Sequence, residues 1–474
     1  MLDLLNLPGI KPVDMRHEGK CLVIVAEPVT VEVPLCGDCN IPMHRHGTRK
    51  NKFMDTPLYM EPVRLEVQRP RFRCESCGKM SMPELSFLDD KRRATKRLVD
   101  VIRQQCLGTT FHALAEQTGV AVNTVKNIAH DLIEELSQTV RYETPVIMGI
   151  DEVNLAGGYR CVITNLATNN VFDMLEHRTQ EHLKPFFKDL PDADKVEWVC
   201  TDMWRPFKRS FAQYLPNAKL VIDKFHVVKM ASEALEAERK NYQAQLSKED
   251  RIYVKKSIRW LTLKRPGNLT PAEQKALEVI KQAIPALAMA YDFKEAFFCI
   301  YDEPDKQSAQ NAFEAWENSL PPYGMEPFKK LVKTVHNHYD DIFAYWDAPF
   351  SITNGYTEGL NGLIKMSNRL GRGYSYEIMR AKTLYSKEAR KVGSGIPSRT
   401  RQGRVWTAHS DIVEAGRRWR VGLTRERASL RIQPMLDFRR VVKNRKIQPE
   451  AAFCPTKSLG LEWMNSNPRM QIAI

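Results

Sequence analysis

Three acidic side chains and four thiols carry the chemistry that this sequence could perform. Asp151 lies in residues 145–155 (PVIMGIDEVNL), a short apolar run with the character of a buried strand. An unpaired carboxylate there would be costly, so it belongs at an exposed strand end, in a hydrogen-bonded turn or facing a metal. The pattern recurs: residues 196–202 (VEWVCTD) form a second strand-like run ending in Asp202, and Glu358 lies far downstream in residues 353–361 (TNGYTEGLN). Two strand-borne Asp and one helix-borne Glu supply the hard oxygen donors that a divalent cation such as Mg²⁺ or Mn²⁺ takes. The thiols fall into two CxxC pairs, Cys36/Cys39 and Cys74/Cys77, separated by 34 residues. Tight turns of this kind let two thiolates reach one tetrahedral ion, and four thiolates suit structural Zn²⁺. His44 and His46 are rival ligands, though histidines in a basic loop are more often solvated. A redox role needs a βαβ setting that neither pair has.

The elements that must position these groups follow from periodicity. After the Asp151 strand come Gly157-Gly158 and two strand-like runs, 159–165 and 170–175, that read as a meander. A helix at 179–190 leads to the strand ending at Asp202, and a helix near 206–214 leads to a strand at 219–223. Three strands followed by alternating helix and strand is the order of a ribonuclease H-like mixed sheet, in which the first and fourth strands are neighbours. Helical pieces at 227–246, 252–263, 272–288, 305–318 and 325–345 read as an all-helical insertion before Glu358. If the chain is helical from Asn354, then Asn354, Glu358, Asn361 and Lys365 form one stripe, and Arg369, Arg372 and Tyr374 beyond it suit a phosphate backbone and a stacked base.

Upstream, residues 20–33 read as a strand pair broken by Pro28, and 63–67 as a strand returning the chain to the first thiol pair. Residues 90–140 turn helical, and a short helix, a turn at Gly119 and a second helix capped by Asn123 give a helix-turn-helix. Thr124, Lys126 and Asn127 then point toward base edges or phosphates. The formal charge of +14 and pI near 9.2 favour a polyanionic partner. Residues 386–450 hold 17 Lys and Arg against 6 Asp and Glu, so the excess is concentrated near the C-terminal end. No apolar run approaches the roughly 18 residues that cross a bilayer, and no secretory leader opens the chain, so a cytoplasmic location is expected.

Ile150-Asp151-Glu152, Thr201-Asp202-Met203, Ile222-Asp223-Lys224-Phe225-His226 and Thr353 through Glu358, Asn361, Lys365 and Arg369 resemble the successive motifs of the ISL-three family of insertion-sequence transposases. The CxxC pairs resemble that family's zinc-binding domain, and residues 94–138 its helix-turn-helix. The resemblance implies a DDE transposase with Asp151, Asp202 and Glu358 as the triad holding Mg²⁺ or Mn²⁺. It implies that His226 of a DxxH signature lies near the DNA at the active site, and that terminal inverted repeats and target DNA are the partners. Pairing two ends asks for at least a homodimer. Gly362 stands where a second Asn is common.

The expected organisation is multidomain α+β: a zinc-ribbon-like module (1–90), a helix-turn-helix (91–142), a ribonuclease H-like core (143–232 and 348–390), a helical insertion (233–347) and a basic tail (391–474). A zinc and helix-turn-helix regulator without catalysis explains residues 30–140 equally well, but leaves the three acids without a purpose. A nuclease that never joins strands is the third reading.

Overall fold

The structure, a computed structural model, describes residues 6–386 apart from 156, 204–207, 209, 210, 212, 247–250, 253–257 and 349. The basic segment 391–474 lies outside the described residues, as does more than half of the helix expected near 206–214. The fold is mixed α/β, with two sheets and many helices, and it divides into two compact units. One takes the chain through Pro145, then Glu152–Phe186 and the part from Tyr356; the other takes Val146–Asp151 and Phe187–Gly355.

In the first unit, β1 (Ile10–Glu18) turns back at Gly19 into β2 (Cys21–Pro28). The strand pair expected from 20–33 is thus formed by 10–18 with 21–28. Pro28 ends the strand, consistent with its missing N–H, and residues 29–33 belong to no strand. β2 runs parallel to β4 (Glu61–Arg73), and β4 pairs along its length with β3 (His44–Leu58). This long hairpin closes through Tyr59 and Met60, both at positive φ (50° and 69°), the backbone that matches strand twist in a two-residue turn. The short β5 (Met80–Ser81) adds to the end of β4. Leu22, Ile24, Phe53, Leu65 and Val67 fill the core beneath.

Three helices follow: α1 (Lys96–Gln105), α2 (Phe111–Thr118) and α3 (Val122–Thr139). Thr95 and Thr110 cap α1 and α2 through their hydroxyls, and Gly119 ends α2 at φ +73°. Gly119 is doubly required, because a Cβ there would lie 2.7 Å from Met54 Cε and 2.8 Å from Pro62 Cβ, where the helical turn meets the hairpin. α3 begins after Ala121 with no side-chain cap, so Asn123 is a first-turn residue and not the N-cap expected of it. Leu98, Ile102, Leu114, Val125 and Ile128 hold the three helices together.

The same unit contains β7 (Gly158–Asn165) antiparallel to β8 (Asn170–Leu175), then α4 (Gln180–Lys188). The second sheet has the order β10-β9-β6-β7-β8, and the division between units falls within β6 (Ile147–Leu155).

In the second unit, β9 (Trp198–Thr201) lies parallel to the start of β6, and β10 (Lys219–Ile222) lies parallel to β9. The long α5 (Lys224–Ala244) follows, then α6 (Arg259–Leu263), α7 (Pro271–Ala283), α8 (Pro285–Ile300), α9 (Lys306–Asn318), α10 (Glu326–Asn337) and α11 (Tyr339–Phe343). The single helix expected at 272–288 is two. Pro285 cannot donate the hydrogen bond that would continue α7, and it opens α8 instead, with Ile284 at φ −132° between them. Phe297, Phe313, Trp316, Phe328 and Phe343 are buried in this helical layer. The chain returns to the first unit as α12 (Gly355–Leu370) and α13 (Tyr376–Tyr385). No described helix is long and apolar enough to cross a membrane.

Candidate active site and metal centres

Two backbone knuckles gather the four thiols. The N–H of Asn40 donates to Cys36 O (2.8 Å) and that of Gly78 donates to Cys74 O (2.9 Å). Asn40 and Gly78 take the same left-handed backbone one residue after the second Cys of each pair, at φ 54° and 73°. The equivalence in the sequence is therefore Asn40 with Gly78; Gly37 has a different place in its turn. One sulfur from each of Cys36, Cys39, Cys74 and Cys77 lies within 4.8 Å of all the others. Sulfurs placed about 2.3 Å from one tetrahedral ion are about 3.8 Å apart, so the group fits Zn²⁺. His44 and His46 lie outside this group; both are exposed, and His44 Nε2 is 3.4 Å from Glu75. N–H groups of Asp38 and Cys39 and the neighbouring thiols bring the Cys36 thiol down to about 7. Cys77 receives an N–H from Lys79, yet its contacts with Cys36, Cys39 and Cys74 push it up to about 12.

The carboxylates are aligned by strand register. β6 and β9 pair Ile147 with Trp198, Met148 with Val199 and Gly149 with Cys200, so continuing two residues sets Asp151 opposite Asp202. β9 and β10 pair Thr201 with Ile222, and the Asp223 N–H donates to Thr201 O (2.9 Å), which puts Asp223 level with Asp202 on its other side. Asp202 and Asp223 thus follow the ends of β9 and β10, level with Asp151 in the middle of β6, on three adjacent parallel strands about 4.8 Å apart. Asp151 and Asp223 are buried and Asp202 is half-buried. His226, in the first turn of α5, places Nδ1 3.4 Å from Asp223 Oδ2. Lys224, next to Asp223, is buried under Tyr301 and Tyr345, and burial lowers its ammonium to about 8.

Asn354 ties the segment before α12 to this strand end. Its Nδ2 donates to Ile150 O (2.8 Å) and its backbone N–H to Asp223 Oδ1 (3.3 Å), all within the second unit. In the first unit, Glu358 is half-buried in the first turn of α12. Thr357 Oγ1 is 2.7 Å from Thr164 Oγ1, and Asn361 Nδ2 donates to Glu152 O (3.4 Å). A polar solvent-facing helix is excluded for this stripe, because Asn354 and Asn361 are both buried; only Lys365 and Arg369 farther along are exposed. Tyr374 is not available to stack a base. Its ring meets Phe111 edge-on at 5.5 Å, and a Cβ on Gly371 would fall 2.0 Å from it. Arg372 is exposed.

On α3, Lys126 and Asn127 are exposed and Thr124 is half-buried. Lys382 escaped the sequence reading. Its Nζ, buried, donates to Cys106 O (2.7 Å), Leu107 O (3.0 Å) and Thr109 O (2.9 Å), closing the end of α1 from α13. A lysine in an ordinary amphipathic run carries no sequence signal of such a role.

A transposase family model matches residues 148–383, and a model described as the helix-turn-helix domain of transposase family ISL3 matches residues 83–133. The chain is similar to the transposase for insertion sequence element IS1001 of Bordetella parapertussis, 25% identical over 394 residues that cover 81% of this chain and 96% of that protein. It is also similar to the transposase for insertion sequence element IS1557 of Mycobacterium tuberculosis, 21% identical over 399 residues, 76% of this chain and 87% of the other.

Proposed function

We propose that this chain, which belongs to the ISL3 family of transposases, cuts and joins DNA at the ends of its own insertion sequence through Asp151, Asp202 and Glu358. That it is a DNA transposase follows from its family, and so does the use of a divalent metal; the residue roles and the ions are our reading. The observation that carries it is the placing of Asp151. Its strand is in register with Asp202, and amides from both ends of one helical stripe bind the carbonyls on either side of it, Asn354 at Ile150 and Asn361 at Glu152. Glu358 lies between those two amides on the same stripe.

Hard oxygen donors of this kind fit Mg²⁺, which would supply charge stabilisation at the scissile phosphate. Asp151, Asp202 and Glu358 would hold the ions, Asp151 as the ligand common to both and Asp202 and Glu358 one each. Asp223 holds the Asn354 backbone and faces His226, which lies beside the reacting phosphate. The four-thiolate group holds zinc and stiffens the base of the β3–β4 hairpin. Thr124, Lys126 and Asn127 read the terminal repeats, while Lys365 and Arg369 track the phosphates near the cut. We assign residues 1–90 to zinc binding, 91–142 to end recognition, 143–232 and 348–390 to a ribonuclease H-like core, and 233–347 to its helical insertion. The working form is a homodimer or larger assembly on two DNA ends, in the bacterial cytoplasm.

The test is incubation of the protein with duplex DNA carrying the sequence that flanks its gene, with and without Mg²⁺. Cleavage at the element end that needs the metal, and joining of a pre-cut end to a second duplex, are expected. Asp151→Asn should reduce both by at least about 10³-fold, as loss of several kcal/mol of charge stabilisation requires, with end binding retained. Persistent cleavage by that variant would falsify the assignment.

A further inference from the structure

The zinc-proximal half of the β3–β4 hairpin is a ribbon of two long strands, joined by β5 only at Phe72 and Arg73, with cations and no carboxylates. Residues 44–52 of β3 and 67–73 of β4 contain no Asp or Glu, and every β3 residue from His44 to Lys50 is exposed. β2 pairs with β4 only as far as Val67, and beyond that point Arg71 is half-buried while Arg49 and Arg73 are exposed. On the core face of the hairpin, Arg71 and Arg73 continue the alternation of Leu65 and Val67, and Arg49 joins them by pairing with Arg69. Arg45 pairs with Phe72 next to a bulge at Gly47 and projects from the opposite face. Among the described residues, no ion pair engages Arg45, Arg49, Arg71 or Arg73, although basic neighbours on the same sheet are engaged: Lys50 with Glu66, and Arg64 with Glu18.

A strand edge is often charged simply to prevent edge-to-edge pairing. That purpose is met by either sign and by the edge strand alone. Here both strands contribute, all four groups are guanidinium, and none is neutralised. Guanidinium is the side chain suited to phosphate, and a two-stranded ribbon fits the major groove of duplex DNA.

We propose that this ribbon is a second DNA-contacting surface, separate from the helix-turn-helix, that clamps duplex phosphates through Arg45, Arg49, Arg71 and Arg73. The proposal rests on the transposase reading for its partner and extends it to a surface that reading does not use. The other half of the same hairpin holds the helix-turn-helix: the Thr95 N–H donates to Met54 O (2.9 Å), Met54 N–H to Arg93 O (3.0 Å), and Arg97 Nε to Asp55 Oδ1 (2.8 Å). Ribbon and helices are therefore joined within one compact unit. The nine residues from Met54 back to Arg45 span about 30 Å, the length of about nine base pairs.

The test is the salt dependence of binding by the full, zinc-loaded chain to duplex DNA carrying the flanking repeat and to a scrambled duplex. Four single variants, Arg45→Gln, Arg49→Gln, Arg71→Gln and Arg73→Gln, are compared with the matching Lys variants. Each Gln variant is expected to lower the slope of log K against log salt by about 0.9 on both duplexes, with the Lys variants restoring it. Phosphate footprints should shrink by several base pairs on one side. Unchanged slopes in all four Gln variants at normal zinc content would overturn the proposal, as would weakening confined to the repeat duplex. Mg²⁺-dependent cleavage by the unaltered protein, run in parallel, reads the transposase assignment independently.

Discussion

Replacing Asn354 by Ala tests whether the Glu358 helix is set in place by its first amide. The substitution deletes the hydrogen bond from Nδ2 to Ile150 O, leaving a carbonyl next to Asp151 without that donor at a site where Asn354 is fully buried. An orphaned buried acceptor costs about 1–3 kcal/mol, which should appear as a lower urea midpoint. The larger effect is expected on catalysis. Loss of the tie frees the start of α12, and a 1 Å displacement of a metal-binding carboxylate costs about 10²-fold in rate, or about 2.7 kcal/mol. Cleavage of a repeat-bearing duplex should fall by about that factor, and the Mg²⁺ concentration giving half-maximal rate should rise. Binding to the same duplex without added Mg²⁺ should be unchanged, because α3 and its neighbours are untouched. Asn354→Asp should do no better, since a carboxylate cannot donate to Ile150 O. If Asn354→Ala loses stability but cleaves at the wild-type rate and Mg²⁺ requirement, then Asn354 only supports the fold and the reasoning that links it to Glu358 is wrong.

Replacing both Cys36 and Cys74 by Ser should remove the bound zinc, measured by metal analysis, and abolish end binding, because metal coordination of this type contributes about 10–16 kcal/mol to folding of its module; a full zinc complement in the variant would refute the four-thiolate site. Lys382→Met should leave the carbonyls of Cys106, Leu107 and Thr109 without their ammonium and destabilise the helix-turn-helix by about 1–3 kcal/mol, visible as faster amide exchange in α1 and α2. Burial opposes ionisation of Glu66, but Lys50 and Arg16 more than offset it and hold the carboxyl at about 2. Its folded-state value lies below the unfolded one, so the stabilisation is complete above about pH 4.5 and is lost as pH falls toward 2. Glu66→Gln should thus be less stable than wild type by at most about 3 kcal/mol at pH 7, and the gap in urea midpoint should close near pH 2; a gap that does not depend on pH would refute it.

Much of the architecture was legible along the chain because it is recorded in local periodicity. The strands at 158–165, 170–175 and 219–222 and the helices at 180–188 and 306–318 fall where alternation and helical spacing put them. The CxxC pairs announced their group because the turn chemistry is contained within four residues. Where the expectation failed, a single residue overrode the pattern: Pro285 split one helix into two, and Ala121, not Asn123, opened α3. Tyr374, aromatic beside two arginines, looked like a base-stacking group, but its ring is used to close the core on Phe111.

What the amino-acid order determined by itself was the inventory: which residues are acids at strand ends, which thiols come in pairs, and where the helical reader lies. Only the tertiary structure decided which of these become neighbours. Register between β6 and β9 aligns Asp151 with Asp202 across some 50 residues of chain. The amides of Asn354 and Asn361 bind carbonyls more than 200 positions away, and Lys382 caps a helix from another part of the chain. Such pairings depend on the closure of long loops and on strand register, which no short stretch of sequence records. The arginine-rich half of the hairpin is likewise a tertiary feature, since strand pairing between β3 and β4 sets Arg49 opposite Arg69 and beside Arg71.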